Sequence, residues 1–200
     1  GQTVQGDPKP MFPIANAPDD KVYKKKWDVP LSPSRKQAWD EPGRPRAHYD
    51  YQKSEGLLTG VIPNEDERWR RLQDYYLNCI SDNDRSVDTI LTELDNLGMM
   101  DNTIIIFTAD HGESLGEHNY WFTHEANLYD EEVRVPLAIR YPANFPRPKA
   151  ETLVGHLDFV PSVLDAFGLP EELGRGVSLI SDDVPTDRVM PHSLHPLQDP

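Results

Sequence analysis

The chain has 200 residues, 37% of them hydrophobic, and a formal net charge of −14. Because a surface this acidic repels nucleic-acid backbones and anionic membranes, we expect neither as a partner. No apolar run of about 18 residues occurs, and no transmembrane helix is predicted. The start of the chain lacks a signal-peptide pattern and an initiator Met, so we interpret the chain as a processed or trimmed product. We expect a soluble protein, and the sequence leaves its compartment open between cytoplasm and periplasm. A single cysteine, Cys79, excludes an internal disulfide.

Residues 1–64 form a proline-rich stretch with little periodicity. The chain carries 19 prolines, about twice the usual share, and several lie in turn patterns such as Glu41-Pro42-Gly43. A loop region of this length is uncommon unless it is functional or wraps something larger. We therefore interpret residues 1–64 as a wrapping segment, residues 65–180 as an α/β core portion, and residues 181–200 as an irregular tail.

The apolar spacing of residues 65–97 predicts one long helix. Its apolar residues recur every three or four positions, which indicates one buried stripe: Trp69, Leu72, Tyr76, Cys79, Ile80, Val87, Ile90, Leu91 and Leu94. Asn64 is the expected N-cap, with Glu67 three residues later in capping-box position. Gly98 is the expected stop.

Two strands and one more helix are predicted beyond the long helix. The run 103–108 is short and continuously apolar, as in a strand covered on both faces of a parallel sheet. A second strand is expected over 133–141, with Pro136 placing part of it at an edge or bulge. A helix should follow from Asp158 to Phe167, with His156 and Asp158 in capping or packing positions.

The first predicted strand runs into Asp110-His111-Gly112. Open α/β sheets bind ligands beyond the carboxyl ends of their strands, which is where this pair lies. Gly112 would allow a sharp turn, so that adjacent side chains converge. A carboxylate suits calcium or magnesium, and an imidazole also suits zinc or manganese. The alternative is a strand-terminal turn in which Asp110 caps the next segment.

Further polar residues follow at Glu117-His118, His124 and Asp130-Glu131-Glu132. A histidine beside a metal could contact an anionic substrate or protonate a leaving group. On residue type alone, His118 and His124 are equally consistent with packing or surface roles. We expect the three acids to be surface charge on a helical turn.

Several ordered motifs together resemble the sulfatases of the alkaline phosphatase superfamily, over residues 28–180. They are Asp101-Asn102-Thr103, Asp110-His111-Gly112-Glu113, Leu115-Gly116-Glu117-His118, the stretch 128–137, and 156–164 with Gly168. The resemblance implies a partial alkaline-phosphatase-like core, with a mixed, mostly parallel sheet flanked by helices and a long Pro-rich loop region. It also implies a metal-dependent sulfuric ester hydrolase acting on a sulfated small molecule or saccharide.

The resemblance also implies residue roles. In sulfatases the positions of Asp110 and His111 contribute to a divalent metal site, usually calcium, with manganese or zinc expected if the chemistry is on phosphate. The position of His124 resembles the sulfate-contacting Lys or His. His124 is flanked by Thr123 and Glu125 instead of the commoner glycines.

The family's nucleophile motif, C/S-x-P-S/A-R, is absent from this sequence. Residues 31–35 read Leu-Ser-Pro-Ser-Arg, with Leu31 where the nucleophile would stand, and we interpret that near-match as coincidence. We expect the chain to be the C-terminal half of a sulfatase core, inactive alone, with the missing N-terminal half as partner. The alternatives are a phosphodiesterase or phosphonate hydrolase of the same superfamily, and a non-catalytic fragment used in binding or assembly.

Overall fold

A computed structural model describes residues 25–59, 64–124, 127–140, 152–170, 175–181 and 184–190. Those ranges contain helices α1 (Arg46–Thr59), α2 (Asp66–Asn96), α3 (Glu117–Tyr120), α4 (Asp130–Val133) and α5 (Phe159–Ala166), and strands β1 (Ile105–Thr108), β2 (Ser114–Leu115), β3 (Phe122–Thr123) and β4 (Leu137–Arg140). Short 3₁₀ helices span Pro33–Lys36, Met100–Asn102 and His156–Asp158. Within these ranges, no helix has the length and apolar character needed to cross a membrane.

The chain divides into two compact units. The first comprises residues 1–100 and 108–136, and the second comprises 101–107 and 137–200. β1 pairs with β4, and β2 pairs antiparallel with β3 through Ser114 opposite Thr123 and Leu115 opposite Phe122. The predicted wrapping residues 1–24 and the Pro-rich linker at 141–150 lie outside the described residues.

Helix α2 is confirmed nearly to the residue at both ends. Gly98 follows it with φ +64°, the left-handed conformation that glycine adopts without steric cost. The predicted cap is wrong, because Glu65 occupies the N-cap position and makes no side-chain capping bond. Two acidic residues in the first turn, Asp66 and Glu67, favour the helix start through the helix dipole instead.

The predicted buried stripe of α2 is correct only in part. The helix buries Trp69, Leu72, Tyr75 and Asn78, whereas Ile90 is 61% exposed. Trp27 packs on part of the N-terminal half, with its backbone N–H donating to Asp74 (2.8 Å) and its indole to Asn78 (3.0 Å).

The core of the first unit lies under this N-terminal half of α2. Leu31, Trp69 and Leu72 form its buried apolar cluster, with Leu115 and Tyr120 packed against them. Leu31 therefore has a structural role, which agrees with the interpretation of residues 31–35 as a coincidental match.

Helix α1 differs from the expectation that residues 1–64 are irregular. Its sequence, RAHYDYQKSEGLLT, is largely polar and has little apolar periodicity. Its contacts are with distant residues: His48 lies edge-on to Trp121, with ring centroids 5.1 Å apart, and Tyr51 stacks on the same indole at 5.8 Å. Tertiary packing of this kind stabilises helices whose local pattern is weak.

The second predicted strand is shorter than expected. Residues 130–133 form α4, and the strand begins at Leu137, directly after Pro136. Proline lacks the N–H that a ladder requires, so pairing begins only after it.

The second unit packs α5 beside the two-stranded sheet. Ile104, Ile106 and Ile139 line a small apolar cavity together with Val163 and Ala166 of α5. The helix itself is confirmed within one residue of each predicted end.

Arg188, in the predicted tail 181–200, is held at the start of α5 by a buried ion pair with Asp158. Asp158 is 0% exposed, and its carboxylate accepts two hydrogen bonds from Arg188, at 2.6 and 3.0 Å. The same carboxylate accepts the backbone N–H groups of Gly155 and Val177, both at 2.9 Å. Asp158 is thus a capping and packing residue, as the sequence predicts.

Candidate metal centre

Three side chains converge in the first unit, two from the segment that follows β1 in the chain and one from directly after β3. His111, Glu113 and His124 each offer one potential ligand atom, and these atoms lie within 4.8 Å of one another. His111 and His124 stack, with ring centroids 3.9 Å apart and planes inclined by 23°. Two of the predicted site residues are therefore brought together, with a third that was not assigned.

Glu113 is the ligand candidate that sequence reasoning missed. It lies two residues after His111 in a stretch without helix, and alternate residues of an extended chain share a side. That spacing could have identified it. Its carboxylate contacts His124 Nδ1 at 3.1 Å.

The ring nitrogens of both histidines are arranged in the same way. His111 Nδ1 lies 2.8 Å from the Gly112 carbonyl oxygen, an acceptor, so in this pairing Nδ1 carries the proton. His124 Nδ1 is likewise engaged by Glu113. An imidazole held at Nδ1 in this manner presents Nε2 to a metal or a substrate.

Asp110 lies beside the cluster and is exposed over 85% of its side chain. One carboxylate oxygen accepts the backbone N–H of His111 at 2.9 Å, and the other lies 3.6 Å from His111 Nε2. The hydrogen bond from the backbone N–H of His111 is the main cause that lowers the pKa of Asp110. The carboxylate is therefore available in its ionised form.

Gly112 is required for a reason other than the predicted sharp turn. It is not among the described glycines with positive φ. A Cβ placed on it would lie 1.8 Å from the carbonyl oxygen of Glu131. The backbone N–H groups of Gly112 and Glu113 donate to the carbonyls of Glu132 (2.8 Å) and Glu131 (3.0 Å). Only glycine permits this close approach to α4.

The chain between Glu113 and His124 is a tight hairpin of β2 and β3. His118, Asn119 and Tyr120 all have positive φ, from 48° to 70°, so α3 contains a left-handed turn. Such a turn is costly for residues other than glycine and needs support from its surroundings.

Residues from the Pro-rich stretch supply that support. Ser34 accepts the His118 N–H at 3.2 Å, Arg44 donates to the His118 carbonyl at 2.5 Å, and Gln52 donates to the Tyr120 carbonyl at 3.1 Å. The stretch thus holds the hairpin that carries His124.

His118 lies outside the cluster. Its ring stacks on Tyr129 at 3.6 Å, and its nitrogens contact Gln37 (2.9 Å) and Glu131 (3.2 Å). It connects the Pro33–Lys36 turn to α4, which agrees with the packing interpretation.

The expectation that all three acids of 130–132 are surface charge is wrong for Glu132. That residue is 5% exposed, whereas Asp130 is exposed and Glu131 half-buried. Burial raises the pKa of Glu132 to about 7, against hydrogen bonds from Asn127 and Ser114 that lower it.

The donor set decides which metals these residues can hold. Two imidazoles and a carboxylate suit zinc, manganese or cobalt. Calcium takes six to eight oxygen ligands. The cluster therefore fits a divalent transition metal directly, and fits calcium only when further oxygen ligands join Glu113 and Asp110.

The family model for sulfatases matches residues 25–169 of this chain. That match covers more than half of the sequence, and the chain belongs to the sulfatase family. Sulfatases generally use a divalent metal.

Curated relatives agree with this assignment. An ulvan-active sulfatase of Formosa agariphila is 32% identical over 126 residues, 60% of this chain and 24% of that protein. An N-acetylglucosamine-6-O-sulfatase of Bacteroides thetaiotaomicron is 36% identical over 107 residues, 52% of this chain and 19% of that protein. The chain thus spans about a quarter or less of the length of these relatives.

A solved structure shares the fold. A phosphonate monoester hydrolase from Silicibacter pomeroyi superposes with a TM-score of 0.57 and 30% identity, over 64% of this chain and 26% of that one. The chain therefore has part of an alkaline-phosphatase-like α/β fold, as predicted.

Proposed function

We propose that this chain supplies part of the metal and substrate site of a metal-dependent sulfuric ester hydrolase. The observation that carries the proposal is the convergence of His111, Glu113 and His124 in a chain of the sulfatase family. Under this proposal the nucleophile comes from outside these 200 residues, because the C/S-x-P-S/A-R motif does not occur in them. The 200-residue chain alone then turns over no aryl sulfate.

Asp110 and His111 are the proposed metal ligands, joined by Glu113. A bound divalent ion would polarise an oxygen of the ester and stabilise developing negative charge. The low pKa of Asp110 supports its role, since a ligating carboxylate must be ionised. For a sulfatase the proposed ion is calcium, completed by oxygen ligands from outside the described residues, with manganese or zinc for phosphate chemistry.

His124 is the proposed catalytic residue. A sulfate ester builds negative charge on its leaving oxygen as the bond breaks, and a protonated imidazole can donate to it. Glu113 lies 3.1 Å from His124 Nδ1, which fixes the orientation of the ring and leaves Nε2 to face a substrate. The His124 side chain is 41% exposed, so a substrate can reach its ring.

A second role for His124 is favoured by the same geometry. Because its ligand atom lies within 4.8 Å of those of His111 and Glu113, it could complete the metal site instead. The variant His124→Ala separates the two roles. In a complete enzyme containing this chain, the proton-donor role predicts a kcat lowered by roughly 10²–10⁴ with metal affinity unchanged. A loss of metal affinity equal to that of His111→Ala would make His124 a ligand.

The proposed substrate class is a sulfated small molecule or saccharide. Names of relatives that act on ulvan and on N-acetylglucosamine-6-O-sulfate support a saccharide. Phosphonate hydrolysis is the competing activity, favoured by the structural likeness to a phosphonate monoester hydrolase. Parallel assays of a complete enzyme with an aryl sulfate and an aryl phosphonate decide between them, since kcat/KM should favour the sulfate if the proposal holds.

A further inference from the structure

Three buried polar side chains meet behind the candidate metal centre. Glu132 is 5% exposed, Asn127 is 1% exposed and Ser114 is 0% exposed. Ser114 Oγ donates to Glu132 Oε1 at 3.2 Å, and Asn127 Nδ2 donates to the same oxygen. Buried polar groups are costly unless they are hydrogen-bonded, so removing the carboxyl would leave the other two without this partner.

One arm of this group holds the side of the centre that carries His111 and Glu113. Ser114 directly follows Glu113 and opens β2. The backbone N–H of Gly112 donates to the Glu132 carbonyl at 2.8 Å. The Glu132 backbone therefore also binds the chain between His111 and Glu113.

The other arm holds the side that carries His124. Asn127 lies three residues after His124, and its side-chain oxygen accepts the Tyr129 N–H at 2.9 Å. Ser114 also faces Thr123, the residue before His124, across the β2–β3 pair. The Glu132 carboxyl therefore bonds Ser114, which begins β2 directly after Glu113, and Asn127, which lies three residues after His124.

We propose that Glu132 is a positioning residue that sets the spacing between the His111–Glu113 side and the His124 side of the centre. It acts through Ser114 and Asn127 and touches neither metal nor substrate. The metal readout of this inference rests on the proposed function, whereas the positioning itself does not.

The test uses the full 200-residue chain and the variants Glu132→Leu, Glu132→Gln and Asn78→Leu. Glutamine keeps an acceptor oxygen, whereas leucine removes it. Asn78 is a matched control, because it is also buried at 1% exposure and hydrogen-bonded, to Trp27 and Lys25. Each variant is studied at a temperature where its unfolding curve shows a folded protein.

The first readout is the imidazole NMR spectrum of the metal-free protein. We expect Glu132→Leu to shift the ring resonances of both His111 and His124, and Glu132→Gln and Asn78→Leu to leave them nearly unchanged. Unshifted resonances in folded Glu132→Leu, or equal shifts in Asn78→Leu, would overturn the positioning role. If Glu132→Leu does not fold, Ser114→Ala and Asn127→Ala each remove one arm and are judged by the same criterion.

The second readout is Co²⁺ binding, followed by visible absorption. Loss of a residue that orients metal ligands typically lowers affinity by about 10–100-fold. We expect that loss in Glu132→Leu, with recovery to within about threefold in Glu132→Gln. Wild-type affinity in Glu132→Leu would contradict the inference. If Glu132→Leu shifts the imidazole resonances and the wild-type chain binds no Co²⁺, the proposed metal site is refuted and the positioning role is supported.

Discussion

The imidazoles of His111 and His124 stack 3.9 Å apart, although thirteen positions and a complete hairpin separate them in the chain. The hairpin closes through Ser114 opposite Thr123, and its left-handed turn is held by hydrogen bonds from Ser34, Arg44 and Gln52. The Pro-rich stretch thus shapes the candidate centre from outside it.

Burial along α2 predicts different effects for its two halves. Leu72 is 6% exposed in the core with Leu31 and Trp69, so Leu72→Ala should lower the free energy of unfolding by about 2–5 kcal/mol. Ile90 is 61% exposed, and Ile90→Ala should change it by no more than about 0.5 kcal/mol. Urea unfolding of both variants tests this, and equal losses would place both residues in one core.

The Asp158–Arg188 pair should contribute more to the free energy of unfolding than an exposed pair does. The two side chains are 0% and 10% exposed, so Arg188→Ala leaves a buried carboxylate unpaired, at a cost of about 3–5 kcal/mol. The exposed Arg68–Glu65 pair is the control, and Arg68→Ala should cost less than about 1 kcal/mol. Similar costs for the two variants, measured by urea unfolding, would show that the buried pair contributes no more than a surface one.

The same pair predicts an acid limit to stability. Burial alone would raise the pKa of Asp158, but Arg188 and the N–H groups of Val177 and Gly155 outweigh it and hold the pKa below its ordinary value of 3.8. The pair's contribution is therefore complete above about pH 4 and is lost as the pH falls through the folded-state pKa. Unfolding curves between pH 2 and about 5 should show that wild type loses free energy of unfolding as the pH falls, and that Asp158→Asn lacks this loss. The same pH dependence in both proteins would refute the contribution of Asp158.

Glu132 predicts a pH dependence of the opposite sign. Burial raises its pKa from 4.5 to about 7, so the folded state binds more protons than the unfolded state between these values. Stability should fall as the pH rises through this window, by up to about 3 kcal/mol, and the loss should be complete above pH 7. The difference between wild type and Glu132→Gln in EDTA isolates this contribution, because histidines common to both proteins cancel. A difference that is constant with pH would mean that Glu132 titrates normally.

Much of the fold was predictable where the signal is local. The 3–4 spacing and Gly98 defined α2, and the apolar run before Asp110 defined β1. His111 and His124 were identified by motif position. What could not be predicted depends on distant contacts: α1 is supported by packing on Trp121, and Glu132 looks like a surface acid until Ser114 and Asn127 enclose it. Glu113 could be predicted only in part, because its i+2 spacing from His111 becomes informative only once that segment is known to be extended.

Calorimetric titration of the 200-residue chain with Mn²⁺ tests the central claim, a divalent metal centre at residues 111–124, most directly. Wild type should bind, and Glu113→Ala should lose at least about tenfold in affinity, because it removes the carboxylate that converges with His111 and His124. Glu93→Ala, an exposed acid on α2, is the control and should bind as wild type does. Calcium should bind more weakly, at about millimolar or above, since few oxygen ligands are present. Mn²⁺ affinity that is the same in Glu113→Ala as in wild type would contradict the account.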